Sequence, residues 1–519
     1  MFSRMLLITL VMTASVATAE VKPHALFSDN AVLQQQMPVP IWGTANDGEK
    51  VTVEFQNQKV STVAAAGQWK VVLQPLSAGG PFELKISGDG NEIVLHNILV
   101  GEVWVCSGQS NMMYPLASSE GGPEAIAASK DPLLRLLRMP SQKGIRTYDK
   151  PLREPSATIS WIESQPEGLG TFGGVVYFFG RDLRKARGVP IGLIQAAEGS
   201  SAIHLWTPRH ILEDPAYRHY FQSFEIYGRE YREMLEAYQK QEPELLKKHE
   251  AAVAKAKADN LPVPAPPKPP MDPQINPKPP TSYYATLINP LLPYAIRGVI
   301  WYQGENNRGA PDEYRLLFPA MIRAWREAWG QGDFPFLFVQ LPSLVTCPPE
   351  FREVQLMTSL EVPQTAVVVI TDTADPNDGH PRKKEPVGAR LALAARGVAY
   401  GEKIEYSGPV FSAMKVVGQR ALLTFTHVGS GLESKDGALT GFTVAGDNGE
   451  FVDAHAEIVP AASAGQPTDT VAVWADKVAT PVAVRYGWTD VPVINLFNRE
   501  SLPASPFRTD SPLPSAKSK

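Results

Sequence analysis

Apolar and polar positions alternate in different rhythms along this chain, and the rhythms divide it. From residue 21 to about 98, runs such as Val51-Thr52-Val53-Glu54-Phe55, Trp69-Lys70-Val71-Val72 and Phe82-Glu83-Leu84-Lys85-Ile86 alternate, the period of a strand with one buried face. Asn46-Asp47-Gly48 and Gly88-Asp89-Gly90 separate them with turn chemistry. This predicts an N-terminal β-sandwich over residues 20–98. From 99 to 404 the apolar runs become continuous: Val103-Trp104-Val105, Ile191-Gly192-Leu193-Ile194, Gly298-Val299-Ile300-Trp301, Phe336-Leu337-Phe338-Val339 and Ala366-Val367-Val368-Val369-Ile370. They alternate with helix-like stretches. Strands apolar on both faces belong to a parallel sheet covered on both sides, so this part reads as a three-layer α/β domain. From 405 to 510, Leu422-Leu423-Thr424-Phe425, Val471-Ala472-Val473-Trp474 and Val482-Ala483-Val484-Arg485-Tyr486 restore a β pattern and predict a second sandwich.

An insertion over 208–280 interrupts the middle domain. Residues 213–258, rich in Glu, Lys, Ala and Tyr, predict exposed helix. Ten prolines between Pro262 and Pro280 then forbid one and predict an extended strap, either a substrate lid or a plain connector. At the N-terminus, Arg4, the apolar run Met5 to Met12 and Ala17-Thr18-Ala19 form a secretory signal over 1–19. The mature protein is expected to begin at Glu20 and to be periplasmic or secreted. Residues 511–519 are expected to be a frayed tail.

Composition narrows the function. Hydrophobic residues make up 44% and charged residues 20%, as in globular proteins. The net charge of -5 and the lack of a basic block exclude a nucleic-acid partner. No run approaches the roughly 18 apolar residues that a membrane span needs. The chain has two cysteines, Cys106 and Cys347, whose pairing the sequence leaves open. With no CxxC and no HExxH, a metal site is not expected. Gly168-Leu169-Gly170-Thr171-Phe172-Gly173 is a literal GxGxxG. However, Gln165-Pro166-Glu167 stands where a strand should lead into a dinucleotide loop, so a nucleotide site is not expected.

The most informative segment is Gly101-Glu102-Val103-Trp104-Val105-Cys106-Ser107-Gly108-Gln109-Ser110-Asn111-Met112. An apolar strand enters a glycine turn and Ser110 opens a helix, which aims a serine oxygen from the C-terminal edge of the sheet. A serine at that place is also a common helix cap. The G-x-S-x-G elbow is not met, because Met112 occupies the second glycine position.

Gly108-Gln109-Ser110-Asn111-Met112 resembles the first block of the sialate O-acetylesterase family of SGNH hydrolases, and further blocks follow in order. Gly192-Leu193-Ile194-Gln195 leads to Gly199-Ser200-Ser201 and Trp206-Thr207-Pro208, which is similar to the second block, with Glu198 and Ser200 departing from it. Gly298-Val299-Ile300-Trp301-Tyr302-Gln303-Gly304-Glu305-Asn306 resembles the third. His380-Pro381, with Lys384 and Arg390-Leu391, resembles the last. Leu502-Pro503-Ala504-Ser505-Pro506-Phe507-Arg508-Thr509-Asp510 is similar to the family's C-terminus. The resemblance implies a three-layer, flavodoxin-like SGNH domain flanked by the two β-sandwich regions.

It also implies a serine esterase acting on O-acetylated carbohydrate without a cofactor. Ser110 would be the nucleophile. The backbone N–H groups of Ser110 and Gly199 and the Asn306 side chain would hold the oxyanion. Gln109, Gln303 and Glu305 would bind substrate. Among nine histidines, His204 and His380 lie in the hydrolase core, and only His380 follows a core strand through a suitable loop, which makes it the expected base. SGNH enzymes often carry an Asp three residues before the His. Asn377 stands there, so the partner is expected to be Asp378, with a backbone carbonyl or Asp375 as alternatives. The namesake substrate is acetylated sialic acid, and acetylxylan or another polysaccharide is the alternative. A non-catalytic carbohydrate-binding protein is the reading of another class.

Overall fold

The computed structural model describes residues 20–141, 151–259, 261–270, 278–461, 463 and 465–510. The expected signal at 1–19, residues 271–277 of the proline-rich run and the tail at 511–519 lie outside the described residues. Strand β1, Glu92–Gly108, is 17 residues long and organises the N-terminal half. Its first part pairs antiparallel with Gly79–Ser87, and Leu99 to Gly101 pair with Val32–Gln34. From Glu102 onward it is flanked on both sides by parallel strands, Ile191–Ala197 and Gly298–Tyr302. The expected boundary between residues 98 and 99 falls inside this strand. One strand serves both sheets, and a single hydrophobic core runs from Val21 to Val410.

The pattern changes from alternating to continuous at this junction because the environment changes. Glu92 to Ile98 still has exposed positions, whereas Gly101 to Gly108 is buried throughout. Glu102 marks the changeover. Its buried carboxylate accepts from Arg297 Nε at 2.6 Å and from the side-chain amide of Gln34, which keeps the charge paired where the apolar strand begins.

The central sheet adds β2 (Asp131–Arg138), β3 (Trp161–Ser164), β4 (Ile191–Ala197), β5 (Gly298–Tyr302), β6 (Phe336–Val339) and β7 (Thr365–Val368). Its order is β3-β2-β4-β1-β5-β6-β7, parallel except for the antiparallel edge strand β3. The helices that matter for the site are α1 (Ser110–Met113), α2 (Gly174–Arg187), α3 (His219–Ala258), α4 (Pro311–Trp329), α5 (Pro349–Glu361) and α6 (Glu385–Val398). α2 packs on α6, and α4 on α5. The first pair is close: a Cβ on Gly388 would lie 2.6 Å from Phe178 Cβ.

The insertion is dominated by α3, which has 40 residues with Pro243 inside it. At 1.5 Å per residue it is about 60 Å long. Only one stripe of it is shielded, and residues 261–270 return without regular structure, with Tyr238 Oη donating to Pro267 O at 3.4 Å. Beyond Val410 a second core forms from two four-stranded sheets, with Phe411 and Phe507 stacked at its centre. Cys106 and Cys347 are buried free thiols, so the pairing left open by the sequence does not occur. No helix among the described residues is long and apolar enough to cross a membrane.

Candidate active site

The chain leaves β1 towards β2 and β4 on one side and later crosses to β5 on the other, so the C-terminal end of β1 is a switch point of the sheet. Gly108 ends β1 at φ +133°, and a Cβ there would lie 2.2 Å from Tyr302 O of β5. Only glycine lets the two strands come so close before the turn. Gln109 N donates to the same carbonyl at 2.9 Å, and α1 begins with Ser110. As a first-turn residue, Ser110 has no acceptor for its N–H within the helix.

His380 comes from the loop between β7 and α6, and its Nε2 lies 2.7 Å from Ser110 Oγ, within hydrogen-bond distance. The loop is braced by its own acids. Asp375 Oδ1 accepts Asn377 N at 3.0 Å, and Asp378 Oδ1 accepts His380 N at 2.8 Å. The hydrogen bond of Asp378 thus goes to the backbone of His380, and Ser110 is the one hydrogen-bond partner of the imidazole among the described residues.

Gly199 follows β4 and faces the serine; a Cβ on it would be 3.8 Å from Ser110 Cβ. Glu198 N donates to Gly108 O, and Ser201 Oγ donates to Glu198 O at 2.8 Å, which fixes the peptide that carries the Gly199 N–H. Asn306 follows β5 and is exposed. Its Oδ1 accepts from Gln109 Nε2 at 3.3 Å, which leaves the Nδ2 hydrogens for the cleft. Ser110 at the start of α1 is therefore met by Gly199, Asn306 and His380 from three separate loops.

The expected substrate-binding residues are placed differently. Gln303 is fully buried, donates to Ser201 O and Asn307 Oδ1, and accepts from Tyr314 Oη. It supports the floor of the site and does not reach substrate, because its hydrogen-bonding capacity is spent inside. Gln109 is also buried and orients Asn306 from behind. Glu305 is half-buried: one carboxylate oxygen accepts from Asn111 Nδ2 and the other is buried without a hydrogen-bond partner among the described residues.

Asn111 and Lys384 carry roles that the sequence reading did not assign. Asn111 Nδ2 also donates to Gly379 O at 2.8 Å, while Lys384 Nζ donates to Asn111 Oδ1. One buried amide thereby ties the helix that Ser110 opens, the Asn306 loop and the His380 loop together. Burial pushes the Lys384 ammonium down to about 7, against the opposing pull of Glu305 and Asp378. Burial likewise raises the Glu305 carboxyl, opposed by its hydrogen bonds and by Lys384 and His380. Neighbouring Lys383 is exposed, and residue type alone does not distinguish the two.

Residues 100–251 and 278–395 match the model of the SASA family, described as carbohydrate esterase, sialic acid-specific acetylesterase. The chain belongs to this family of carbohydrate esterases. It is accordingly a carboxylic ester hydrolase. It is 28% identical to a sialate O-acetylesterase of Rattus norvegicus, covering 93% of each chain, and 27% identical to that of Homo sapiens, covering 93% of this chain and 91% of the relative. Among solved structures, a carbohydrate acetylesterase from Xanthomonas citri is 37% identical with a TM-score of 0.76, over 95% of this chain and all of that one.

Proposed function

We propose that this esterase removes O-acetyl groups from carbohydrates through a covalent acetyl-serine intermediate. The observation that carries this reading is the 2.7 Å contact between Ser110 Oγ and His380 Nε2 at the switch point of the sheet. Ser110 Oγ attacks the acetyl carbonyl while His380 Nε2 takes its proton. The oxyanion forms against the N–H groups of Ser110 and Gly199 and the Asn306 amide. His380 then protonates the departing sugar oxygen, and water, deprotonated by the same imidazole, releases acetate. The locally committed carboxylates of Asp375 and Asp378 favour a Ser–His pair in which the loop backbone, rather than an Asp–imidazole bond, sets the ring.

The relatives named sialate O-acetylesterases support acetylated sialic acid as substrate, and the Xanthomonas citri enzyme supports a wider range of acetylated carbohydrate. Acetate release from p-nitrophenyl acetate, O-acetylated sialic acid and acetylated xylan, with Ser110→Ala as control, tests the reading. Release from the p-nitrophenyl ester but from neither sugar would restrict the enzyme to another ester class. Equal release by Ser110→Ala would end the serine mechanism.

We further infer the three-layer SGNH arrangement, with the α2–α6 and α4–α5 pairs on opposite faces of the sheet and β-sandwiches flanking it. Export with cleavage before Glu20 is supported by the Ala17-Thr18-Ala19 pattern. Mass spectrometry of the native protein would detect any other start.

A further inference from the structure

At the end of the insertion, Lys278 reaches the site. Lys278 Nζ donates to Gly199 O at 2.8 Å and to Ser200 O at 2.8 Å, and lies 5.1 Å from the centre of the Tyr283 ring. The family match breaks at residue 251 and resumes at 278, so this lysine stands where the inserted stretch rejoins the hydrolase. The two carbonyls belong to the turn that carries the Gly199 N–H. Ser200 in that turn has φ +52°, a left-handed conformation that costs a residue with a Cβ about 1 kcal/mol or more.

We propose that Lys278 is a positioning residue for ester hydrolysis: it holds the Gly199-Ser200 turn so that the Gly199 N–H faces the forming oxyanion. This rests on the reading of Gly199 as an oxyanion donor. Three successive peptide planes are fixed by two different groups. Ser201 Oγ holds Glu198 O, which orients the plane bearing the Gly199 N–H, and the ammonium holds the next two carbonyls. Without the cation, the turn keeps its first tether but loses the one that holds Ser200 in its strained conformation. The peptides the ammonium contacts end in the N–H groups of Ser200 and Ser201, so it acts on the Gly199 N–H through the shape of the turn and not by polarising that peptide. The ammonium touches neither nucleophile nor base, so its effect appears in transition-state stabilisation and not in proton transfer.

The test compares wild type, Lys278→Met, Lys278→Arg and Ser110→Ala in the full chain. Lys278→Met keeps the length of the stem and removes the charge and the donors. It is expected to lower kcat about tenfold, less than loss of a direct oxyanion donor, with KM within about twofold. Lys278→Arg, which keeps charge and donors, is expected to recover most of the loss. Inhibition by phenylboronic acid, whose serine adduct is tetrahedral and anionic, is expected to weaken by the same factor as kcat, while the melting temperature barely moves. Unchanged kcat and unchanged boronate inhibition in Lys278→Met would overturn the proposal. A rise in KM alone would also overturn it, by making Lys278 a substrate contact. Full activity in Ser110→Ala would instead bring down the underlying reading of the site.

Discussion

The Asp378 carboxylate accepts the backbone N–H of His380 at 2.8 Å, two residues along the same loop. A carboxylate in this role is a structural acceptor, and an amide oxygen replaces it. Asp378→Asn is therefore expected to keep kcat within about tenfold of wild type, against the ~10⁴-fold loss for an obligatory triad Asp. Initial rates on p-nitrophenyl acetate decide it. A loss near the triad figure would mean that Asp378 turns to the imidazole during turnover.

Asn306 presents its Nδ2 to the cleft because Gln109 occupies its Oδ1. Asn306→Ala is expected to lower kcat by about 10²- to 10³-fold. Steady-state kinetics separate the roles: an increase in KM at constant kcat would make Asn306 a ground-state contact.

Gly108 has no room for a side chain, with Tyr302 O at 2.2 Å from the site of a Cβ, and it sits at positive φ. Gly108→Ala is expected to destabilise the fold by more than about 1 kcal/mol and to displace Ser110. A urea midpoint equal to that of wild type would contradict the close approach of β1 and β5.

Lys384 gives a pH dependence of stability. Burial lowers its folded-state value from 10.5 to about 7. Between those pH values the unfolded chain binds more protons, so unfolding free energy gains with rising pH, by up to about 1.4 kcal/mol per unit. The contribution is complete above 10.5 and is lost as pH falls through about 7. The stability of wild type relative to Lys384→Met should thus rise between pH 7 and pH 10, as urea unfolding of both proteins measures. A difference that is flat or falls with pH would show that Lys384 stays charged in the fold.

The strand-to-helix turn at Ser110 was legible because a continuous apolar run, a glycine and a helix start agree there, whereas the role of Ser110 as nucleophile came from the family resemblance. The place of His380 after a core strand put it on the sheet edge where the structure has it, 2.7 Å from Ser110 Oγ. Val103-Trp104-Val105 read correctly as a buried strand, but the change from alternating to continuous pattern put a domain boundary between 98 and 99, inside Glu92–Gly108. A change in burial along one strand looks like a change of element. Gln303 was expected to bind substrate through the family resemblance, yet its amide is spent on Ser201, Asn307 and Tyr314, of which Ser201 lies 102 positions away and leaves no local trace. The Asn111–Lys384 pair is separated by 273 positions, and no periodicity encodes such a contact.

The shared strand also bears on inheritance. A module can be cut out and pasted elsewhere only where the chain crosses between bodies in a loop. Here the crossing is the middle of Glu92–Gly108, the rod that ends at the doorstep of Ser110. A gene fragment starting at residue 99 would deliver Ser110 on a strand stripped of its first seven residues and of their antiparallel neighbours. The N-terminal region is in that sense the foundation of the catalytic machinery rather than an appendage, and recombination that trades it for another would have to rebuild the central strand as well.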